Sequence, residues 1–238
     1  AGASGTVNLK SLKGACSVVL GDNNLSVNAG NYTGAISGNG GLTISGDGAN
    51  VFTLGGVNTY EGATTINGGS LMLAQENAIA QSSLVDLQQG AITATANQSF
   101  VSLKTAQGTT VDFNNSGGTD YNLALGIAEI AGILQNVNHL SIGAGSINGT
   151  LTNVGSLTKN GDGVLTINNN VTLTQDLTIT GGGLTIDGGK LLSVNGNASF
   201  AQGTVLTLSL SDQAYGPLTV AGTLPFVDGP TLNISHVT

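Results

Sequence analysis

The sequence predicts an all-β protein, folded as a right-handed parallel β-helix with about three short strands per turn. Three observations lead to this fold: a composition rich in glycine and poor in charge, a short strand that recurs along the chain, and turn signals between its copies. Of 238 residues, 38 are glycine and 3 are proline, and only 8% are charged. An ordinary globular domain has roughly 25% charged residues. The polar surface must therefore come from Asn, Thr, Ser and Gln, which suit strands and tight turns better than helices.

The recurring strand places a threonine between two apolar or β-branched residues, which is the alternation of a half-buried strand. Ile44 and Ile66 are 22 residues apart, and Ile167 and Ile186 are 19 apart. Steps of this size are the turn length of a β-solenoid, and they predict about 11 turns stacked about 4.8 Å apart. The copies are residues 42–44, 64–66, 165–167, 177–179 and 184–186.

Short glycine-rich and asparagine-rich segments separate the strands, and glycine there permits the positive φ angles of tight corners. Such segments are residues 38–41, 46–48, 67–69 and 181–183. No linker interrupts the pattern, so we predict that residues 1–238 form one continuous β-helix segment. Each turn would bury its apolar face only against its neighbours.

Residues 121–140 are open to two interpretations. Leu123, Ile127, Ile130 and Leu134 lie at helical spacing, and the segment has fewer turn residues than the rest. We favour another solenoid turn, with strands at 133–134 and 140–142, and keep a short helix as the alternative.

A longer motif follows the first copy of the strand and contains the second. Residues 55–73 read GGVNTYEGATTINGGSLML and are similar to the passenger-associated transport repeat of bacterial autotransporters. The lead-in GGLTISG at 40–46 and the segment 77–92 resemble the flanks of that repeat, so residues 40–92 are identified as transport-repeat-like turns. The residues that match the motif are Gly56, Asn58, Thr59, Tyr60, Gly62, Thr64, Thr65, Ile66, Gly69 and Leu71.

The C-terminal part carries a second resemblance. Residues 197–234 are similar to the end of an autotransporter passenger domain, the region that precedes the membrane barrel. This resemblance implies that residues 197–238 are turns with an autochaperone-like role, which fold first and assist folding during secretion. The sequence FVDGP at 226–230 replaces the commoner turn of that region, which predicts an altered last turn.

Together the resemblances imply a passenger segment exported by type V secretion, displayed on the extracellular side of the bacterial outer membrane or secreted. Such a segment would act as an adhesin or structural stalk in virulence and would not be an enzyme. Its partner would be a host cell-surface receptor, a matrix component or further copies of itself. The loop around residues 114–121 is a candidate contact.

Charge and cysteine content exclude several other partners. The net charge is −8, and the only basic residues besides histidine are Lys10, Lys13, Lys104, Lys159 and Lys190. With no arginine and no basic face, we expect no nucleic-acid partner. No apolar run approaches the ~20 residues needed to span a bilayer, so we expect no membrane insertion by this segment. A single cysteine, Cys16, excludes an internal disulfide.

The main alternative function is a polysaccharide-binding or polysaccharide-degrading β-helix. Glycoside hydrolysis uses two carboxylates roughly 5 to 9 Å apart. Asp86 and Asp112 lie on strand-like segments, but their 26-residue separation is only loosely one turn. Solvated surface aspartates are the simpler interpretation.

Other chemistry has still less support in the sequence. Residues 45–53 are close to a calcium-binding nonapeptide repeat, but Asn50 stands where aspartate is needed and the pattern occurs once. Two histidines, His139 and His236, with Cys16 do not supply a zinc site or a nucleophilic triad. We therefore predict no catalytic, cofactor-binding or metal-binding residue.

Overall fold

The structure, a computed structural model, describes residues 4–114, 120–211, 216–225 and 229–236. Within these ranges every regular element is a β-strand. Parallel strands stack into a β-solenoid of about ten turns, which confirms the predicted fold class. The same ranges contain no helix with the length and apolar character needed to cross a membrane.

The strands follow one another along the chain without an intervening helix in the described ranges. In order they are β1 (Thr6–Ser11), β2 (Val18–Val19), β3 (Asn24–Tyr32), β4 (Ile36–Gly38), β5 (Leu42–Ser45), β6 (Val51–Leu54), β7 (Thr59–Tyr60), β8 (Thr64–Leu73), β9 (Val85–Ala94), β10 (Gln98–Thr105), β11 (Thr110–Phe113), β12 (Asn122–Ile130), β13 (Ile133–Ile147), β14 (Thr150–Lys159), β15 (Val164–Ile167), β16 (Val171–Leu173), β17 (Leu177–Ile179), β18 (Gly183–Ile186), β19 (Leu192–Val194), β20 (Ala198–Phe200), β21 (Val205–Leu210), β22 (Leu218–Val220) and β23 (Thr231–His236).

The chain divides into two compact units, Ala1–Leu123 and Ala124–Thr238. In the first unit some strands are long because each turns a corner and pairs on two faces of the solenoid. β8 pairs with β5 through its first half and with β6 through its second half. β9 pairs in the same way with β10 and β11. The third face of this unit is the small sheet β2-β4-β7.

Alternation along these strands builds continuous apolar columns inside the first unit. Ile44 is the register partner of Val27 on one side and of Ile66 on the other, and Leu87 continues the column. All four side chains are fully buried. The neighbouring column consists of Leu25, Leu42, Thr64, Val85 and Leu103. Because each rung buries its inner face only against adjacent rungs, stability accumulates turn by turn.

The second unit shows three short strands per turn. One face is β15-β18-β21-β23, the next is β16-β19-β22, and the third is β14-β17-β20. Leu165, Leu184 and Leu206 form one buried column. Columns of small polar side chains, mainly threonine, face outward between the apolar ones. A long one consists of Ser146, Thr166, Thr185, Thr207 and Asn233. These outward columns thus present neutral hydroxyl and amide groups, as the composition predicts.

The structure decides between the two interpretations of residues 121–140 in favour of strands. The segment contains the whole of β12 and the start of β13, and both predicted strand segments lie within β13. Leu123, Ile130 and Leu134 are buried, but Ile127 is 51% exposed, so no helical apolar stripe is formed. Residues 115–119 of the candidate contact loop and residues 226–228 of the altered last turn lie outside the described residues.

Candidate functional site

The transport-repeat motif occupies the corner after β6, the short strand β7 and the long strand β8. Its ten residues divide by orientation. Asn58, Tyr60, Thr64, Ile66 and Leu71 are buried in the interior. Thr59 is exposed and Thr65 is half-buried on the outward side, and the three glycines lie at corners. Most motif side chains therefore pack inside the solenoid, and only Thr59 and Thr65 point outward.

Asn58 ties three consecutive turns together through its side-chain amide. Its Oδ1 accepts a hydrogen bond from the backbone N–H of Ile36 at 2.9 Å, one turn earlier. Its Nδ2 donates to Gly56 O within its own turn and to Ala78 O one turn later, both at 2.9 Å. The side chain is 2% exposed. Because buried backbone groups are costly to leave unpaired, these side-chain bonds stabilise the corner before β7 and join it to the turns on either side.

Gln98 repeats this arrangement, although it lies outside the motif. Its Oε1 accepts from the backbone N–H of Ala78 at 3.1 Å, and its Nε2 donates to Gln75 O at 2.8 Å and Ala96 O at 3.3 Å. Each amide therefore donates to the carbonyl two residues before it and bonds to the backbone of Ala78. We call Asn58 and Gln98 the amide clamps, because they hold the peptide groups of Ala78 from the two adjoining turns.

A chain of hydroxyl groups lies beside the amide clamps. The Tyr60 hydroxyl lies 2.6 Å from Thr64 Oγ1, which lies 2.9 Å from Ser82 Oγ. Ser82 Oγ in turn lies 3.0 Å from Gly62 O and 3.1 Å from Leu84 O, as their hydrogen-bond donor. Burial raises the pKa of the Tyr60 hydroxyl above its usual range, and the bond to Thr64 partly opposes that rise. We call Tyr60, Thr64 and Ser82 the hydroxyl chain.

Two motif glycines are required for different physical reasons. A Cβ at Gly62 would lie 2.5 Å from Gly40 C and Gly41 N, so the position needs glycine because the preceding turn approaches its backbone closely. Gly69 has a φ of +68°, a conformation that side-chain-bearing residues rarely adopt. The close packing of turns, as well as corner conformation, therefore selects glycine in this motif.

The second unit has its own interior polar group, Lys159. This residue has no exposed surface and occupies an apolar column between Ile142 and Ile179. Its Nζ donates to three backbone carbonyls, those of Asn160 at 2.6 Å, Gly161 at 3.0 Å and Gly181 at 3.0 Å. Burial lowers the pKa of the Lys159 ammonium, and the charge of Asp162 partly opposes that effect. The amine thus joins the corner at residues 160–161 to the corner at Gly181, one turn later, by donating hydrogen bonds to carbonyls of both.

The carboxylates considered for glycan cleavage are not register neighbours. Asp86 lies opposite Thr65 and Lys104, whereas Asp112 lies opposite Thr93. Thr93 is seven residues beyond Asp86 on β9, after the corner, so the two aspartates are on different faces of the first unit. The register does not bring them together as a catalytic pair.

The other candidate groups are also apart from one another. The calcium-like segment 45–53 forms a turn in which Asp47 accepts hydrogen bonds from the side chain and the backbone N–H of Asn50. His139 Nδ1 lies 2.7 Å from Ser156 Oγ on the next turn, and Cys16 is exposed. Within the described ranges, no three His, Cys, Asp or Glu residues cluster closely enough to hold a metal ion.

Comparisons of this chain with protein-family models, with curated proteins and with solved structures found no match.

Proposed function

We propose that this chain is a non-enzymatic segment of an autotransporter passenger domain, placed on the bacterial cell surface or secreted, where it serves as an adhesin or structural stalk. The observation that supports this most is that the transport-repeat residues build the interior of consecutive solenoid turns. Asn58, Tyr60 and Thr64 have their polar atoms engaged in holding turns together. The motif is therefore consistent with a structural role and leaves none of these groups directed at a substrate.

The outward faces are suited to contacts with other macromolecules. Columns of Thr, Ser and Asn line the surface of the second unit, and the whole chain has only 18 charged residues, 5 basic and 13 acidic. Neutral hydroxyl and amide ladders form many weak hydrogen bonds without the desolvation cost of charges. A host receptor, a matrix component or another copy of the chain is the partner that this surface favours.

The adhesive proposal is tested with the purified chain. Plates coated with it should retain host cells or matrix proteins above plates coated with an unrelated protein of equal charge, or the chain should self-associate in solution. In parallel, a polysaccharide panel is incubated with the chain and assayed for binding and for release of reducing ends. Cleavage that is abolished by Asp86→Asn or Asp112→Asn would replace the proposal with the enzyme alternative.

We further propose that the C-terminal turns, residues 197–238, fold first and template the turns before them. A solenoid supports this order because a folded rung presents a strand edge on which the next rung pairs. Leu206 and Leu42 offer a matched test, since they are 1% and 0% exposed in columns of different units. Leu206→Ala should slow refolding, while Leu42→Ala should mainly accelerate unfolding. The reverse assignment of the two effects would overturn the proposed order.

A further inference from the structure

Asparagine followed by glycine occurs at five places in this chain. The pairs are Asn39-Gly40, Asn67-Gly68, Asn148-Gly149, Asn160-Gly161 and Asn195-Gly196. In such a pair the backbone nitrogen of the glycine can attack the asparagine side chain, because glycine has no Cβ to obstruct the approach. The reaction needs a glycine N–H that is free to lose its proton, room for the backbone to move, and access to water. The five pairs differ in all three respects.

Four of the five glycines are held in place by neighbouring turns. Three donate their N–H to a backbone carbonyl of an earlier turn at 2.8 to 3.0 Å, namely Gly40 to Gly21, Gly149 to Ile130 and Gly196 to Gln175. Gly68 lies inside β8, where it is the register partner of Ser45. None of the four is exposed, and a Cβ built at any of them would lie within 2.3 Å of an atom of the preceding turn. These four pairs therefore have little freedom to react.

Gly161 differs from these four glycines in each respect. It is exposed, as is Asn160 before it. Among the described residues, no group accepts a hydrogen bond from the Gly161 N–H. Its φ is +68°, and a Cβ built there would lie 3.6 Å from the nearest atom, Gly143 O. Of the five pairs, Asn160-Gly161 is thus the one with an unbound nitrogen, room around the backbone and water at both residues.

The Lys159 ammonium contacts the peptide group that would react. Its Nζ donates to Asn160 O at 2.6 Å. Because Asn160 O and Gly161 N belong to one peptide group, a positive charge at the oxygen stabilises the amide anion that forms when the nitrogen loses its proton. On the other side, Asn160 Nδ2 donates to Ser141 Oγ at 2.9 Å. The nitrogen that would leave therefore lies beside a hydroxyl group, which can donate as well as accept a proton.

We propose that Asn160 is a site of self-modification, at which Gly161 N attacks Asn160 Cγ and the side-chain nitrogen leaves as ammonia. The bond from Gly161 N to Asn160 Cγ forms as the bond from Cγ to Nδ2 breaks, and the proton lost by Gly161 leaves with the ammonia. The product is a cyclic imide. Water then opens the ring at either of its carbonyls, which gives aspartate or isoaspartate at position 160.

The modification would act on the contact that joins two turns of the second unit. Lys159 connects residues 160–161 to Gly181, one turn later. Isoaspartate adds a carbon atom to the backbone at the peptide group that Lys159 contacts, so the three carbonyls would no longer converge on the ammonium. Aspartate would keep the backbone and place a carboxylate at the same corner. The inference rests on these contacts and is independent of the proposed function.

Mass spectrometry of the whole chain, folded and in denaturant, tests the modification. The protein is kept at neutral pH, sampled over time and digested with pepsin in acid, and the fraction of amide converted to acid is measured at each of the five asparagines. In the folded protein Asn160 should convert about tenfold faster than the other four, whose glycine N–H groups must first be released from the backbone ladder. In denaturant the five should convert at similar rates, because the contacts that distinguish them are lost.

Two variants test the role of the ammonium, Lys159→Met and, as the control at another corner of the same unit, Lys190→Met. Lys159→Met should slow conversion of Asn160 about tenfold, since a hydrogen bond from a charged group is lost, and should leave the other four asparagines unchanged. Lys190→Met should change none of the five. A strand-type circular dichroism spectrum verifies that each variant is folded.

The proposal is overturned if Asn160 converts no faster than the other four asparagines in the folded parent. Equal rates at Asn160 in the parent and in a folded Lys159→Met variant would overturn the role of the ammonium. If Lys159→Met does not fold, the comparison of the parent with and without denaturant still decides whether the fold selects Asn160.

Discussion

The motif turns of the first unit and the Lys159 turn of the second both place polar atoms inside the solenoid, but they satisfy them differently. The amide clamps and the hydroxyl chain are neutral, and each bonds to backbone or hydroxyl groups of neighbouring turns. Lys159 brings one charge into an apolar column and surrounds it with three carbonyls. Neutral groups avoid the cost of burying a charge, so the two regions should differ in energetic effect and in pH dependence.

The largest effect is expected at Asn58. Asn58→Leu keeps a similar volume but removes the bonds to Ile36 N, Gly56 O and Ala78 O. Because the backbone groups of Ile36 and Ala78 are buried, we expect a loss of about 3 kcal/mol in the free energy of unfolding. Denaturant titration followed by circular dichroism measures it. Asn31→Leu, at an exposed strand position of the same unit, should change stability by less than about 0.5 kcal/mol. Equal losses in the two variants would show that the buried hydrogen bonds of Asn58 do not stabilise the protein.

A smaller loss is expected at Lys159. Lys159→Met fills the same column without the amine, and it leaves three carbonyls without their donor. The variant also escapes the cost of burying a charge, so the net loss should be about 2 kcal/mol at neutral pH. Thermal and denaturant unfolding measure it, with Lys13→Met at an exposed position as the control. If Lys159→Met were more stable than the parent, the cost of burying the charge would exceed the stabilisation from its three hydrogen bonds.

The pH dependence of this difference follows from the lowered pKa of Lys159. In the unfolded chain the amine titrates near 10.5, and in the folded protein it releases its proton at lower pH. Between these two values the unfolded state holds more protons, so rising pH favours the folded state. The stability of the parent relative to Lys159→Met should therefore increase with pH through that window. A decrease that instead sets in as the pH rises through 10.5 would mean that the three carbonyls raise the pKa of Lys159.

The smallest effect is expected at Tyr60, where the direction with pH is reversed. Tyr60→Phe removes one hydrogen bond, and we expect a loss of about 1 kcal/mol at neutral pH. The hydroxyl titrates near 10.0 in the unfolded chain and at higher pH when buried. Above pH 10.0 the unfolded state loses its proton first, so the parent should lose stability relative to Tyr60→Phe. Unfolding curves at pH 9 and 11 give the free energy of unfolding of the two proteins. If the difference between the proteins were the same at both pH values, the Tyr60 hydroxyl would be in contact with water.

Much of the solenoid was predictable because its rules are local. The Leu-Thr-Ile copies alternate with period two, and their spacing gives the turn length directly. Residues 165–167 and 184–186 lie in register, as their 19-residue separation indicates. A structural role for Asn58 was also predictable, because it lies beside a turn and backbone groups at a corner need hydrogen-bond partners.

The long-range parts of the interior were not predictable in the same way. Gln98 begins Gln-Ser-Phe, which parallels Asn-Thr-Tyr at 58–60, but recognising it requires the 40-residue separation to be read as two turns. Lys159 follows an outward threonine, so alternation alone directs it inward. The charge of the ammonium group makes a buried position unfavourable unless hydrogen-bond acceptors are close. The carbonyl of Gly181 is such an acceptor, but it is 22 residues away in the sequence. The corners within β8 and β9 likewise depend on packing between turns.

Hydrogen exchange at two backbone amides under native conditions tests whether buried side-chain amides tie the turns together. Ile36 N–H bonds to Asn58, and Ala78 N–H bonds to Gln98. If buried side-chain amides tie the turns together, both amides are protected in the parent protein. Asn58→Leu should then accelerate exchange at Ile36 more than at Ala78, and Gln98→Leu should do the opposite. Fast exchange at both amides in the parent, or the same pattern in both variants, would show that Asn58 and Gln98 do not hold the turns together.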